Sequence, residues 1–302
     1  MKSISKISKT TNAMHLVSAV KMKNARAQLN KALPFFTLCR TTMAEIYLQS
    51  PEVVHSFFQR PDKKKGEDLK VAYFVFSGER GLAGAYNINI AKAAQDAIHA
   101  HMLEKAKEGI NLVPKLYVMG RTGRDFLQKS GFDIEEDYNF MMDTPNFYIA
   151  RDLADYIHDL YDFTPIEEVY AIYTEVISAI DFVVRVVKLI PISSDDLLEG
   201  VDLDEFKKQL PDPSTINMEF FPSSEVVMNY LAYTYLNGMI YGILSESFTS
   251  LQIMRRNAMK NATDNAQEIL AKLQADKNRV RQGMITEEII EVVNGANFIG
   301  LV

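Results

Sequence analysis

The chain has 302 residues, of which 47% are hydrophobic and 24% are charged, and its formal net charge is −6 at pH 7. This length suits one large or two small domains, and the composition is that of an ordinary soluble protein. The single cysteine, Cys39, excludes an internal disulfide and a cysteine-based metal site, and no apolar run approaches the ~18–20 residues that span a bilayer.

Acidic and basic residues are separated along the chain. No Asp or Glu precedes Glu45, and the same stretch is basic at Lys2, Lys6, Lys9, Lys21, Lys23, Arg26, Lys31 and Arg40. Without acidic neighbours these side chains cannot form i,i+4 ion pairs, so we expect a cationic helix that faces an acidic protein surface. A purely solvated helix face is the alternative. The overall acidity and the lack of an aromatic platform count against nucleic acid as a partner.

The N-terminal segment, residues 1–60, is predicted to be helical. Residues 1–33 contain neither Gly nor Pro, and apolar residues recur mostly at three- or four-residue steps at Ile4, Ile7, Met14, Val17 and Val20. Pro34 is expected to break or bend the helix, because proline removes a helix hydrogen bond and clashes with the preceding turn. A second helical run extends to about Gln49.

Residues 67–192 are predicted to form an α/β domain. Its expected elements are strands at 71–76 and 115–119, helices at about 87–107 and 147–161, and a hairpin made of 168–177 and 181–192. Apolar, β-branched and aromatic runs indicate the strands. Because strands and helices alternate, the sequence predicts a right-handed crossover and a mostly parallel, Rossmann-like sheet with an antiparallel edge.

The C-terminal part is predicted to be one long helix, residues 223–302, preceded by an acidic, proline-containing connecting loop at 193–222. No proline follows Pro222, and Ser223 or Ser224 is a suitable N-cap. In its second half the apolar stripe narrows to Ala262, Ala266, Ile269, Leu273 and Val280. This spacing predicts a coiled coil with the N-terminal helix. The predicted fold class is therefore α+β, with a long coiled coil and a central Rossmann-like domain.

A glycine-rich turn, Gly78, Gly81 and Gly84, lies between the first strand and the next helix. Such a turn can cradle a phosphate, but a tight strand-to-helix turn is the simpler interpretation, because the Gly-Lys-Ser/Thr of a P-loop is missing. The five histidines are scattered, and no nucleophile motif occurs. The sequence therefore predicts no catalytic residues, no cofactor and no metal site.

Four motifs, in order along nearly the whole chain, resemble those of ATP synthase gamma subunits. Lys9–Met22 resembles their N-terminal signature, and Gly78–Asn87 resembles their Arg-Gly-Leu-Cys-Gly-Gly-Phe-Asn motif. Ala258–Ala266 and Asn278–Ile289 are similar to their C-terminal signature. The chain departs from the family pattern at Ala83, where the family usually has Cys, and at Leu251, where a Glu is expected; a polar contact of that Glu would be missing or rerouted.

The resemblance implies a central rotor shaft that catalyses no reaction itself. The two terminal helices would form an antiparallel coiled coil inside the hexamer of alpha and beta subunits, and the α/β domain would lie at the foot with the epsilon subunit and the c-subunit ring. The resemblance implies hexamer contacts at Met14, Lys21, Arg255, Gln282, Thr286 and Glu288. It also implies a peripheral membrane protein on the cytoplasmic side of a bacterial inner membrane.

Two other functions stay open from the residues alone. One is a nucleotide-binding enzyme that uses the Gly78–Gly84 turn, and the other is a coiled-coil tether without a rotary role. A basic, acid-poor start is also compatible with a mitochondrial transit peptide, although the helical pattern continues through it. The sequence leaves both H⁺ and Na⁺ open as the coupling ion.

Overall fold

The computed structural model describes residues 1–49, 57–58, 65–136, 138, 140–142, 144–178, 181–192 and 220–299. Most of the connecting loop predicted at 193–222 lies outside these residues. The elements are α1 (Lys2–Gln49), β1 (Asp68–Phe76), α2 (Tyr86–Glu108), β2 (Asn111–Met119), α3 (Arg121–Lys129), α4 (Phe147–Phe163), β3 (Glu168–Val176), β4 (Phe182–Ile190) and α5 (Ser224–Ile299). No helix among the described residues is long and apolar enough to cross a membrane.

The chain divides into two compact units. The first unit is Met1–Ser18 together with the chain from Arg255 onward, and the second is Ala19–Met254. The second unit contains the sheet, α2, α3 and α4, and both units contain parts of α1 and α5. The predicted elements all occur, with strands β1 and β2 three and four residues longer at their starts than expected.

The four-stranded sheet of the second unit has the order β2-β1-β3-β4. Strand β1 pairs in parallel with β2 and β3, and β4 pairs antiparallel with β3, which confirms the predicted mostly parallel sheet with an antiparallel edge. Side chains of β1 alternate between two cores. Val71, Tyr73 and Val75 pack with α2, whereas Ala72, Phe74 and Phe76 belong to the larger core that includes α4 and α5. Both faces of this strand are therefore covered, as its continuous apolar run requires.

Helix α1 continues through Pro34, so the expectation of a break at this residue is wrong. Proline leaves the carbonyl of Asn30 without its usual helix donor, but the ring itself is exposed. Two residues later, Phe36 is buried and its ring lies 6.3 Å from that of Tyr241 in α5. Packing of this kind holds the backbone in the helix where local propensity alone would end it.

In the second unit the buried side of α1 follows steps of three and four residues. These positions are Ala25, Leu29, Ala32, Phe36, Cys39, Met43 and Ile46. Phe36 faces Gly238, where an added Cβ would overlap its ring, while Arg26 lies near Glu246. Since a later residue of α1 faces an earlier residue of α5, the two helices run antiparallel, as the resemblance implied.

In the first unit the same spacing is carried by a mixture of apolar, small and polar side chains. The interior positions of α1 are Ile4, Ser8, Thr11, His15 and Ser18, and those of α5 are Met259, Thr263, Ala266, Leu270 and Leu273. The hydroxyl oxygens of Thr11 and Thr263 are 2.6 Å apart. Both helices therefore meet along a heptad-like seam.

The predicted apolar stripes differ from this seam. Ile7, Val17 and Val20 of α1 are exposed, and so are Ile269 and Val280 of α5, although Ile4, Ala266 and Leu273 lie on the predicted side. The reason is that a hydroxyl in the seam finds partners both across it and in its own helix: one of the two threonines donates to the other, and the second donates to its own helix, since Oγ1 of Thr11 lies 3.1 Å from the carbonyl of Ile7 and Oγ1 of Thr263 lies 2.8 Å from that of Met259. Small, self-satisfied side chains allow close packing that a search for apolar residues does not find.

The start of α5 agrees with the prediction of a serine N-cap. The backbone N–H of Val226 donates to Oγ of Ser223 at 3.3 Å, which confirms Ser223 rather than Ser224 in this role. The helix then runs through the core of the second unit, where Met228, Ala232, Leu236 and Ile240 are fully buried.

We expect Gly120→Ala to lower the free energy of unfolding far more than Gly131→Ala. Both glycines have φ near +87°, so each alanine pays roughly 1–2 kcal/mol of backbone strain. A Cβ at Gly120 would also overlap the backbone of Ser77 and Gly78, whereas nothing lies within 4 Å at Gly131. Urea unfolding of the full chain measures both variants. Equal decreases in the free energy of unfolding would show that the connection between β2 and α3 can rearrange around the added Cβ at no energetic cost.

Candidate functional site

The glycine-rich turn is occupied by the protein's own side chains. The N–H of Gly78, which would be available to a phosphate in a nucleotide site, donates instead to Oδ1 of Asn87 at 2.7 Å. A Cβ at this glycine would lie 3.1 Å from Cδ1 of Leu251. Gly84 has φ +59°, a backbone conformation that favours glycine, and no atom lies within 4 Å of a Cβ at Gly81.

Helix α5 fills the crevice where a Rossmann-like sheet usually binds its ligand, at the carboxyl ends of the strands. Tyr86 donates its hydroxyl to the carbonyls of Phe76, at the end of β1, and of Ser247, in α5. Ser250 donates to the carbonyl of Thr174, near the end of β3, at 2.8 Å. The crevice is thus closed by direct hydrogen bonds, and this arrangement disfavours the nucleotide-binding alternative.

Leu251, at the position where the family pattern has Glu, is a core residue. Its side chain is 2% exposed and packs against Gly78. The nearest polar atom to the Gly78 Cβ position is Oδ1 of Asn87, which already accepts a hydrogen bond. An apolar contact therefore takes the place of the expected polar one.

Leu82 is a feature that the sequence analysis missed. Its φ is +61°, the one positive value that a non-glycine residue adopts in the described part of the chain, and its side chain is 62% exposed. A left-handed backbone costs a leucine about 1 kcal/mol or more, so the fold presents this apolar side chain to its surroundings at an energetic cost. The residue type alone gives no signal of this conformation.

The six predicted contact residues occupy α1 and α5. Met14 and Arg255 are half-buried, and Arg255 already interacts with another group of the chain. Lys21, Gln282, Thr286 and Glu288 are exposed. The structure brings Gln282 and Thr286 together, since the hydroxyl of Thr286 donates to the carbonyl of Gln282 at 2.8 Å.

The last described turns of α5 expose an unusual amount of apolar surface. The residues concerned are Val280, Met284, Ile285, Ile289, Ile290, Val292 and Val293, each between 47% and 71% exposed. Five neighbouring side chains, including those of Glu288 and Ile289, line a shallow groove of about 290 Å³. Surface apolar residues are normal singly, but a contiguous set of this size marks a binding surface.

A network of titratable side chains lies on the α2 face of the sheet. The hydroxyl of Tyr73 is 2.7 Å from Nδ1 of His101, and Nε2 of His101 is 4.0 Å from the carboxylate of Glu168. Glu168 also accepts hydrogen bonds from Lys188 at 2.7 Å and from Tyr170 at 3.1 Å. Burial lowers the pKa of His101, and the negative charge of Glu168 only partly opposes that shift. The described residues contain no group of three or more His, Cys, Asp or Glu side chains placed to hold a metal ion.

Comparisons with known proteins agree with one another. A family model described as ATP synthase matches residues 1–299. The ATP synthase gamma chains of Acetivibrio thermocellus and Ruminiclostridium cellulolyticum are each 39% identical to this chain, and each alignment covers 98% of this chain and 95% of the relative. The sodium ion specific ATP synthase gamma chain of Acetobacterium woodii is 30% identical, with the same coverage.

A solved structure shares the fold. The chain is similar to one in the central stalk and c-ring structure of the Tetrahymena thermophila mitochondrial ATP synthase, with a TM-score of 0.53 and 23% identity. The match covers 84% of this chain and 99% of that one. The long terminal helices with a sheet domain between them are thus an arrangement already seen in another protein.

We expect Leu251→Glu to destabilise the second unit by several kcal/mol, whereas Leu251→Met should cost less than about 1.5 kcal/mol. The carboxylate would lose its hydration beside Gly78 without gaining a donor, while methionine keeps the volume and the apolar contact. Thermal and urea unfolding of both variants measure the difference. A fully stable Leu251→Glu chain would show that this contact readily opens to solvent.

The network around His101 predicts a pH dependence of stability. Because the folded-state pKa lies below the ordinary value of ~6.5, the unfolded chain binds the proton first as the pH falls. The stabilising contribution is therefore complete above pH ~6.5 and is lost as the pH decreases through that value towards the folded-state pKa. His101→Gln should flatten this part of the profile relative to the unmodified chain, as measured by urea unfolding between pH 5 and pH 8. If stability depends on pH in the same way in His101→Gln and in the unmodified chain, His101 is not the group responsible.

Proposed function

Since the chain belongs to the ATP synthase gamma family and is the non-catalytic central rotor stalk of an F-type synthase, we propose that its terminal helices transmit rotation by direct contact with the alpha/beta hexamer. A shaft can change the catalytic sites only through contacts that differ between its orientations, because a partner that interacts equally with all conformations shifts none of them. The coupling must therefore reside in exposed side chains of α1 and α5.

The exposed apolar end of α5 carries this proposal. Complete burial of a large apolar side chain contributes roughly 1.5–3 kcal/mol, so each half-exposed residue between Val280 and Val293 would gain on the order of 1 kcal/mol from a protein lining. No described part of the chain covers this surface. The hexamer would supply the lining, which is why we place the end of α5 inside it.

The basic side of α1 would contact acidic segments of the beta subunits. Lys2, Lys6, Lys9, Lys21 and Lys23 are exposed, and none of them forms an ion pair with a described acidic residue. An uncompensated positive face favours a negatively charged partner. Met14 and Lys21 of α1, with Arg255, Gln282, Thr286 and Glu288 of α5, are the side chains to which we assign hexamer contacts.

The sheet domain would lie at the foot of the stalk, with the epsilon subunit and the c-subunit ring. The chain would then be held at the membrane through the complex, on the cytoplasmic side of a bacterial inner membrane. Proton or sodium ion flow would turn the ring and the stalk together, and successive orientations would change the relative free energies of the beta conformations.

We expect a chain that ends at Arg281 to assemble but to couple poorly. The buried residues of Met228–Phe248 remain to hold α5 to the sheet domain, which would still bind at the foot of the stalk, whereas the exposed apolar end of α5 is lost. The test is the ratio of ion pumping to ATP hydrolysis in purified, assembled complexes.

The truncation removes both the end of the helix and its apolar side chains. A full-length variant with Met284→Gln, Ile289→Gln and Val292→Gln removes only the apolar side chains, and it should also lower the ratio of ion pumping to ATP hydrolysis. Lys272→Gln is the matched control, because Lys272 is exposed on the same helix and pairs only with Glu268, one turn earlier. A normal ratio in both the truncated and the triple variant would mean that the end of α5 is not a coupling element.

We expect Met14→Lys to slow rotation without unfolding the chain. A flexible thioether can pass successive beta segments with little preference, whereas a lysine ammonium could pair with their carboxylates and would have to be released at each step. A pair worth about 1.4 kcal/mol slows the step tenfold. Hydrolysis rates and their temperature dependence in assembled complexes are compared with those of Met14→Leu. If the Lys and Leu variants behave alike, Met14 does not face the hexamer.

A further inference from the structure

The two edges of the sheet are protected differently. On the β2 edge, Pro114 interrupts the row of N–H groups, Ile134 bridges to Leu116, and the N–H of Glu135 donates to the carbonyl of Leu116 at 2.9 Å. Proline and local cover are the usual devices that keep an edge strand from pairing with another chain. Strand β2 is therefore closed to further strands.

Strand β4 has none of these devices. Its nine residues contain no proline, and no described residue pairs with its outer edge. Val183 and Val186, on opposite faces of the strand, are 37% and 44% exposed. A long apolar edge of this kind is a template for an additional strand.

The two basic side chains of β4 do not prevent another strand from pairing with this edge. Arg185 is paired with Glu175 of β3 at 2.6 Å, and Lys188 is paired with Glu168 of β3 at 2.7 Å. Charges on an edge strand oppose association when they are free. Here each is paired with a carboxylate of β3, Arg185 at the sheet surface and Lys188 in a partly buried pair, so an incoming strand would meet valines, backbone groups and paired rather than free positive charges.

A small cavity adjoins β4 on the α2 face. It has a volume of about 190 Å³ and is lined by Tyr73, Ala97, His101, Glu104, Tyr170 and Val186. Glu104 forms no ion pair with a described residue, in contrast to Glu168. The cavity thus offers apolar and aromatic walls to a side-chain stem, and to its head the carboxylate of Glu104, which interacts with His101 and Lys105 but forms no ion pair with a described residue.

We propose that β4 binds an extended segment of another subunit, which adds a fifth strand to the sheet and places one Lys or Arg side chain in this cavity. Backbone hydrogen bonds to the free edge supply sequence-independent affinity, and the apolar side chains of the segment cover Val183 and Val186. The basic head pairs with Glu104 while its stem lies along Tyr170, which selects the register. This surface lies on the sheet domain, so the inference does not depend on the hexamer contacts proposed above.

Hydrogen exchange tests the added strand. Amides of β4 are compared between the isolated full-length chain and the purified complete synthase, with β2 as the internal control. We expect exchange in β4 to slow at least about tenfold in the synthase while exchange in β2 is unchanged. Equal exchange of β4 in both samples would overturn the proposal.

The occupant and its charge are tested in the same complex. A photoreactive group attached to Val183→Cys should cross-link to one segment of another subunit that carries a Lys or Arg. Cross-links only within the chain, or only to a second copy of it, would overturn the assignment.

Glu104→Lys should abolish the protection of β4 from hydrogen exchange, whereas the control Glu108→Lys, on the same helix and paired with Lys105, should preserve it. Protection that survives Glu104→Lys would rule out the proposed ion pair.

Discussion

The packing of α5 through the core of the second unit is the interaction on which the rest of the structure depends. The same helix contacts α1 through Gly238 and closes the sheet crevice through Ser247, Ser250 and Leu251. The close approach at Gly238 leaves room for the ring of Phe36, which in turn keeps α1 helical beyond Pro34. Within the second unit α5 thus joins α1 to the carboxyl ends of the strands.

The first unit mixes polar and apolar residues on both sides of its helices. Its seam contains hydroxyl groups such as those of Thr11 and Thr263, while Ile7 and Val17 face outwards. Hydroxyls that bond to their own helix carry little desolvation cost and permit a close approach of the two backbones. An outward apolar face is unfavourable in water and becomes favourable only against a protein lining. The outward apolar side chains are therefore available for contact with a partner.

Much of this fold could be predicted because its signals are local. The apolar run of β1, the alternation of strands and helices, and the absence of proline after Pro222 predicted the mostly parallel sheet with its antiparallel edge and the long last helix. The helix through Pro34 and the hydroxyl seam could not be found in the same way, because both depend on contacts between residues far apart in the chain. The left-handed Leu82 had no sequence signal at all, since glycine is the residue that this conformation favours.

The end of α5 shows how a single helix can present different chemistry in different directions. Ile285, Ile289 and Val292 follow each other at steps of four and three residues, so they share one face. Glu287 and Glu291 lie nearly opposite, because two residues correspond to roughly 200° of rotation in an α-helix. Turning this helix by about half a revolution would therefore exchange an apolar contact for an acidic one at a fixed point that faces Ile289. Such a difference in contact free energy between orientations is what a rotor needs in order to favour one conformation of its surroundings over another.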